Sequence, residues 1–211
     1  MEKRVIVTTL LVVASDLEYK ALEHMDTPEG FDVVKVGVGS LLSSYNLHNY
    51  LMNKSFDRII SVGTFGSLKK ELKLFTPVVF TETLSHVANL GKFNFPKGTV
   101  PGRKRGFKVD AKTANVYAKS KNLLTGLILS GDSFLEEDEK KSVLNRFPNA
   151  LGVDMESVAL SFIAEEFKTP FNIIRTVSDE VDGTSEDYMD NVIKATGISL
   201  EIAFDLVDTL K

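Results

Sequence analysis

The chain has 211 residues, 43% hydrophobic and 26% charged, the make-up of a globular domain, and it reads as one domain over residues 1–211 with a sizeable core. Its formal net charge of −4 excludes a broad nucleic-acid surface, which needs clustered positive charge. With no cysteine there are no disulfides or thiolate metal sites, which fits a reducing, cytoplasmic setting.

The first apolar run, residues 5–14, is too short to span a bilayer and meets Asp16, Glu18 and Lys20 at once. It also lacks the small-residue cleavage pattern of a signal peptide, so residues 5–13 read as a strand buried on both faces, with no membrane association. Ser15 or Asp16 can cap a helix to about Met25, with Leu17, Ala21 and Leu22 inward. Glu18, in its first turn, admits two readings: an acid complementing the helix dipole, or a carboxylate held at the mouth of the first strand.

A turn at residues 26–30 leads to a second strand over 31–38, and Gly37-Val38-Gly39-Ser40 opens a helix with apolar positions at Leu41, Leu42, Tyr45 and Leu47. Residues 57–62 form a third strand that ends in Gly63-Thr64-Phe65-Gly66-Ser67. Short glycine turns of this kind let backbone amides approach a ligand or an anion. A strand over 77–81 precedes the least regular stretch, 84–106. A loop of that length is functional or an interface element, and its Phe93 and Phe95 need something to pack on. Arg103-Lys104-Arg105 reads as a solvated turn. Then follow a helix over 110–121, a strand over 126–130, a charged helix over 137–146, a helix over 158–167, a strand over 171–177 and a closing helix over 185–210. The alternation predicts an α/β fold, three layers α/β/α around a mixed, largely parallel sheet.

Polar groups collect where apolar runs end: Glu18, Thr64, Ser67, Asp132, Glu156, Ser178 and Asp179. The three histidines, His24, His48 and His86, lie in separate elements without metal-ligand spacing, so no metal or cofactor is expected. There is no GxSxG nucleophile motif and no Walker-type phosphate loop. Carboxylates, hydroxyls and glycine turns remain, a set suited to cleaving a glycosidic bond through an oxocarbenium-like transition state.

These residues resemble the purine and uridine nucleoside phosphorylase superfamily, and within it the bacterial 5'-methylthioadenosine/S-adenosylhomocysteine nucleosidases. The likeness is carried by Ser130-Gly131-Asp132-Ser133-Phe134, Phe147-Pro148, Val153-Asp154-Met155-Glu156 and Arg175-Thr176-Val177-Ser178-Asp179, and is extended by both glycine turns and the 90–102 loop. It implies hydrolysis of a purine nucleoside with release of adenine. Glu18 would activate water, and Asp179, oriented by Ser178, would protonate the leaving base. Glu156 and Met155 would hold the ribose, while Phe134 stacks on the base beside Leu135. Thr64 and Phe65 would line the pocket, and Val38, Tyr188 and Met189 would wall the 5'-substituent. Phe93, Phe95 and Pro101 would complete the pocket of a second copy, implying a homodimer.

Phe65 stands where the family carries a small residue, and the stretch between Glu23 and Val36 is too short for the family's strand hairpin, implying a trimmed sheet. Thr64 and Ser67 also suit plain turn chemistry, and Phe134, Val38, Tyr188 and Met189 also suit a core. The rival activities are a phosphate-dependent nucleoside phosphorylase, a futalosine hydrolase and a non-catalytic nucleoside-binding protein. Phosphorolysis wants an arginine beside the glycine turns, and neither turn has one in sequence.

Overall fold

A computed structural model of the chain describes residues 8–23, 25–103, 106–179 and 185–210, with residues 179 and 185–187 described by their backbone alone. The elements run β1 (Thr9–Val13), α1 (Asp16–Leu22), β2 (Phe31–Lys35), α2 (Ser40–Leu51), β3 (Arg58–Ser67), β4 (Pro77–Ser85), α3 (Ala111–Lys121), β5 (Leu124–Ser130), α4 (Glu137–Arg146), β6 (Ala150–Asp154), α5 (Ser157–Glu166), β7 (Phe171–Asp179) and α6 (Ser185–Asp208), with a 3-10 turn at Gly91–Phe93.

Alternation along the strands sorts side chains to two faces. Leu10, Val12, Ile59 and Ile173 point into a core with Leu47 and Leu51 of α2 and Leu160 and Ile163 of α5. Leu11, Val13, Ile60, Val62 and Ile174 point the other way, onto Ala21 of α1, Tyr117 of α3 and Leu200 and Leu206 of α6. Helices thus cover both faces. A smaller cluster of Leu129, Val143, Phe147 and Ala150 seats α4.

The strand order is β2-β1-β3-β6-β5-β4-β7, and β7 also pairs with β3. The extra pairing makes a circuit: β3, β6, β5, β4 and β7 each bond the next, and β7 returns to β3. Parallel ladders predominate, with antiparallel ones at β3–β6 and β4–β7. β1 and β2 extend the circuit as a parallel wing. Between α1 and β2 there is no strand among the described residues, so the sheet is trimmed there.

Several boundaries differ from the sequence reading. β3 does not stop at Gly63, because its ladder with β7 continues to Gly66 opposite Asp179. β4 likewise runs on to Ser85 against β5. In α2 the inward face is Ser43, Leu47 and Leu51, one every four residues. Leu41 and Tyr45 therefore point outward, 79% and 65% exposed, with Leu42 exposed beside them. Arg103 is not simply solvated: it pairs with Glu165 of α5 at 2.6 Å and lies over the Phe107 ring. Lys104 and Arg105 fall outside the described residues.

Candidate active site

The carboxyl ends of β1, β3, β6 and β7 converge on a cavity of about 200 Å³. Its wall includes Glu18, Val38, Thr64, Phe65, Phe134, Leu135, Met155, Glu156, Ser178 and Tyr188, so ten of the residues singled out from sequence meet in one place. Asp179 ends β7 opposite Gly66, itself part of the wall, while the Asp179 side chain lies outside the described residues. Met189 is half exposed and not part of this wall. Phe93, 71% exposed, Phe95 and Pro101 lie on the surface away from it. Ser67 turns back to its own chain, its hydroxyl accepting from Lys69 N and donating to Lys69 O.

Glu18 satisfies both of its sequence readings at once. It closes a capping box with Ser15, its Oε2 accepting from Ala14 N at 2.7 Å and Ser15 N at 3.1 Å. Its Oε1 accepts from Thr64 N at 3.1 Å, which carries α1's carboxylate across to β3. Gly63 makes this possible, since a Cβ there would stand 2.1 Å from Glu18 Oε1 and 2.7 Å from Arg175 Nη1.

The Gly37–Ser40 turn does offer its amides to an anion, but the anions are the protein's own. Gly39 N donates to Glu156 Oε1 at 2.9 Å, and Ser40 N donates to Asp132 Oδ1 at 2.6 Å. The Ser40 hydroxyl binds the other Asp132 oxygen. Both glycine turns are thus filled by carboxylates: Glu18 at one, Glu156 and Asp132 at the other.

Arg175 is the residue that sequence reasoning quotes without giving it a role. It is 1% exposed beneath the cavity, with Nη2 3.0 Å from Asp154 and 3.8 Å from Glu156, and Nη1 3.5 Å from Glu18. Ser61 Oγ accepts from it at 3.1 Å. Burial works against its charge, yet the three carboxylates outweigh burial and hold its pKa above the usual value. The signal was available: an arginine inside the apolar run Ile173-Ile174-Arg175-Thr176-Val177 must be buried, and a buried cation demands acidic partners. It also corrects the sequence argument, because an arginine does lie against the Gly63 turn. Its charge is already matched by carboxylates. Asp154, quoted within a motif but given no role there, has a carboxylate that also binds Ser157 N at 3.2 Å and the Ser157 hydroxyl; it and Lys140 of α4, which no motif contains, are further wall residues.

Burial, together with Asp154 and Glu18, pushes the Glu156 carboxyl up to about 7, against the pull of Arg175 and the Gly39 amide. An acid whose folded pKa is raised holds its proton longer when folded, so stability is present below the unfolded value and declines as pH rises to about 7. Urea unfolding at pH 5 and pH 8 should show this loss in the parent and not in Glu156→Gln. Equal pH slopes in the two proteins would refute it.

Among the described residues no group of three His, Cys, Asp or Glu side chains is placed to hold a metal ion. The arrangement can hold a polyhydroxylated ligand on Glu156, place water beside Glu18, and enclose a flat apolar group near Phe134 and Leu135.

Residues 33–210 match the phosphorylase superfamily. The 5'-methylthioadenosine/S-adenosylhomocysteine nucleosidase of Buchnera aphidicola subsp. Acyrthosiphon pisum is 32% identical over 159 residues, 72% of this chain and 68% of the relative. The crystal structure of the Neisseria meningitidis nucleosidase of the same name, in complex with methylthio-immucillin-A, superimposes with a TM-score of 0.84 at 24% identity, over 96% of this chain and 100% of that one. The futalosine hydrolase of Helicobacter pylori shares the fold, with a TM-score of 0.81 at 20% identity, over 97% and 98% of the two chains. The matched span takes in the whole strand circuit and the cavity wall apart from its β1–α1 residues, Ala14, Ser15, Leu17 and Glu18: this chain belongs to the phosphorylase superfamily.

Proposed function

We propose that this chain is an N-glycosyl hydrolase that releases adenine from 5'-methylthioadenosine, S-adenosylhomocysteine or a nucleoside of that type, and that residues 1–211 act as one domain. The observation that carries hydrolysis over phosphorolysis is the occupation of both glycine turns by internal carboxylates. A phosphate brought to either turn would face Glu18, Asp132 or Glu156, which already hold the amides of Thr64, Ser40 and Gly39. Water has no such conflict.

In this reading the ribose hydroxyls donate to Glu156, which Gly39 N and Arg175 orient, and Met155 packs beneath the sugar. The purine lies between Phe134 and Leu135, and Val38 and Tyr188 flank the 5'-substituent. The bond from C1' to the purine N9 breaks with oxocarbenium character. Asp179 gives its proton to N7 of the base, so adenine leaves neutral, with Ser178 as the orienting neighbour. Glu18 takes a proton from the water whose oxygen bonds to C1', and Thr64 N and Arg175 hold that carboxylate in place. The products are adenine and a 5-substituted ribose, which gives the chain a role in salvage of methionine-derived nucleosides in the cytoplasm.

The test is adenine release from 5'-methylthioadenosine in matched reactions with and without phosphate. Equal rates are expected. Strict dependence on phosphate would make the protein a phosphorylase, and failure to release adenine in either would leave a binding role.

A homodimer completes the reading. Leu41, Val87, Val100 and Phe162 line one groove beside the cavity, and exposed Leu42, Tyr45, Phe93 and Phe134 add apolar area that a lone copy leaves in water. The second copy would cover this surface and bring Phe93, Phe95 and Pro101 to the 5' side of the pocket. Light scattering should give twice the chain mass in the parent and the chain mass in Tyr45→Asp, with a raised KM in the variant. A fully active monomeric parent would refute the shared pocket.

A further inference from the structure

β3 and β6 meet over two residue pairs, Gly66 opposite Val153 and Ser67 opposite Gly152. On one side of this joint Thr64 and Gly66 face the cavity; on the other, Val153, Asp154 and Glu156 do. The joint therefore sets the distance between the wall that steadies Glu18 and the wall that carries Glu156. Phe65 lies across it. Its ring packs edge-on against Phe80, centroids 5.2 Å apart at 89°. It also fills the space a side chain at 152 would need: a Cβ there would stand 2.1 and 2.5 Å from two Phe65 ring carbons and 2.8 Å from Gly66 O. Glycine within a strand marks such a close approach, and an aromatic ring laid over it restores the cross-strand contact that a missing side chain forgoes.

We propose that Phe65 and Gly152 act as one spacer that sets the width of the nucleoside cavity, a positioning and specificity-determining pair for the reaction proposed above, on which reading it rests. Phe80, against which the ring packs, Val177, its ladder partner, and the other members of that core are themselves buried, so a displaced ring finds no free volume there. The open volume next to Phe65 is the cavity it helps to line. A larger residue at 152 drives the ring toward that volume or parts β6 from β3. Either outcome spoils the seat of the ribose while leaving Glu18 and Arg175 on their own elements. Emptying position 65 has the converse effect, a wall without its backing.

The experiment compares Gly152→Ala, Phe65→Ala and the double variant in the full chain, with kcat and KM for 5'-methylthioadenosine measured separately and thermal unfolding alongside. Gly152→Ala should raise KM roughly tenfold or more while kcat changes by less than about threefold, the pattern of lost ground-state binding. The double variant should lie closer to the parent than Gly152→Ala does, because the two closest clashes, with the ring, are gone, only the 2.8 Å approach to Gly66 O remains, and the methyl added at position 152 refills part of the space. A KM within about twofold of the parent for Gly152→Ala, or a double variant equal to the product of the singles, would overturn the proposal. If Gly152→Ala does not fold, the double variant against Phe65→Ala decides: a lower KM in the double supports the spacer, and an equal or higher one overturns it. A parent that releases no adenine refutes the activity rather than the spacer, and the same variants are then ranked by adenine affinity in calorimetry. The spacer predicts weakened binding in Gly152→Ala and recovery in the double, and a parent that binds no adenine overturns both readings.

Discussion

Replacing Arg175 with methionine should destabilise the protein by about 3–5 kcal/mol at pH 8, the cost of leaving buried carboxylates without their cation. Three acids share that guanidinium, so its loss strands Glu18, Asp154 and Glu156 together at the bottom of the cavity. The unpaired acids then hold protons more tightly when folded. Stability in the variant should therefore be greatest at low pH and fall as pH rises, a steeper decline than in the parent. Urea unfolding at pH 5.5 and pH 8 reads this directly. Arg175→Lys should fall between, because an ammonium cannot reach Asp154, Glu156, Glu18 and Ser61 with one fork. If Arg175→Met unfolds with the parent's midpoint at pH 8, the three-acid cluster is not held by this residue.

Replacing Glu18 with glutamine should lower kcat for adenine release about 10²–10⁴-fold, the usual worth of a positioned general base. The amide keeps the shape of the carboxylate but cannot take a proton from water. It also offers one acceptor where Ala14 N, Ser15 N and Thr64 N now share two, so a capping contact worth about 0.5–2 kcal/mol is lost. The two effects separate in measurement: the variant should melt a few degrees below the parent and still bind adenine. Turnover within about threefold of the parent would remove Glu18 from the proposed mechanism.

Strands buried on both faces read as apolar runs, so β1 and β7 stand out in the amino-acid order itself. Their polar ends do not. Gly63-Thr64-Phe65-Gly66-Ser67 looks like a turn because its pairing partners, β7 and β6, lie more than eighty residues away in sequence. The outward face of α2 is equally hidden: Leu41, Leu42 and Tyr45 have the composition of a core, and only the four-residue spacing of Ser43, Leu47 and Leu51 shows which side packs inward. At the site, Glu18, Met155, Glu156 and Ser178 are visible as polar or irregular residues after apolar runs. The partners of the glycine-turn amides are not, since Gly39 finds Glu156 across 117 residues and Ser40 finds Asp132 across 92. Local patterning identifies a group that seeks a partner; the three-dimensional path of the chain chooses it.

Because five strands bond in a ring, the described sheet offers one strand with a free side, β2. It is five residues long, Phe31–Lys35, and both of its charges are engaged: Asp32 with Tyr50 and Lys54, and Lys35 with Asp16. A short, charged rim makes a poor template for another chain's backbone. The described sheet is thereby guarded against amyloid-like stacking at its one open margin.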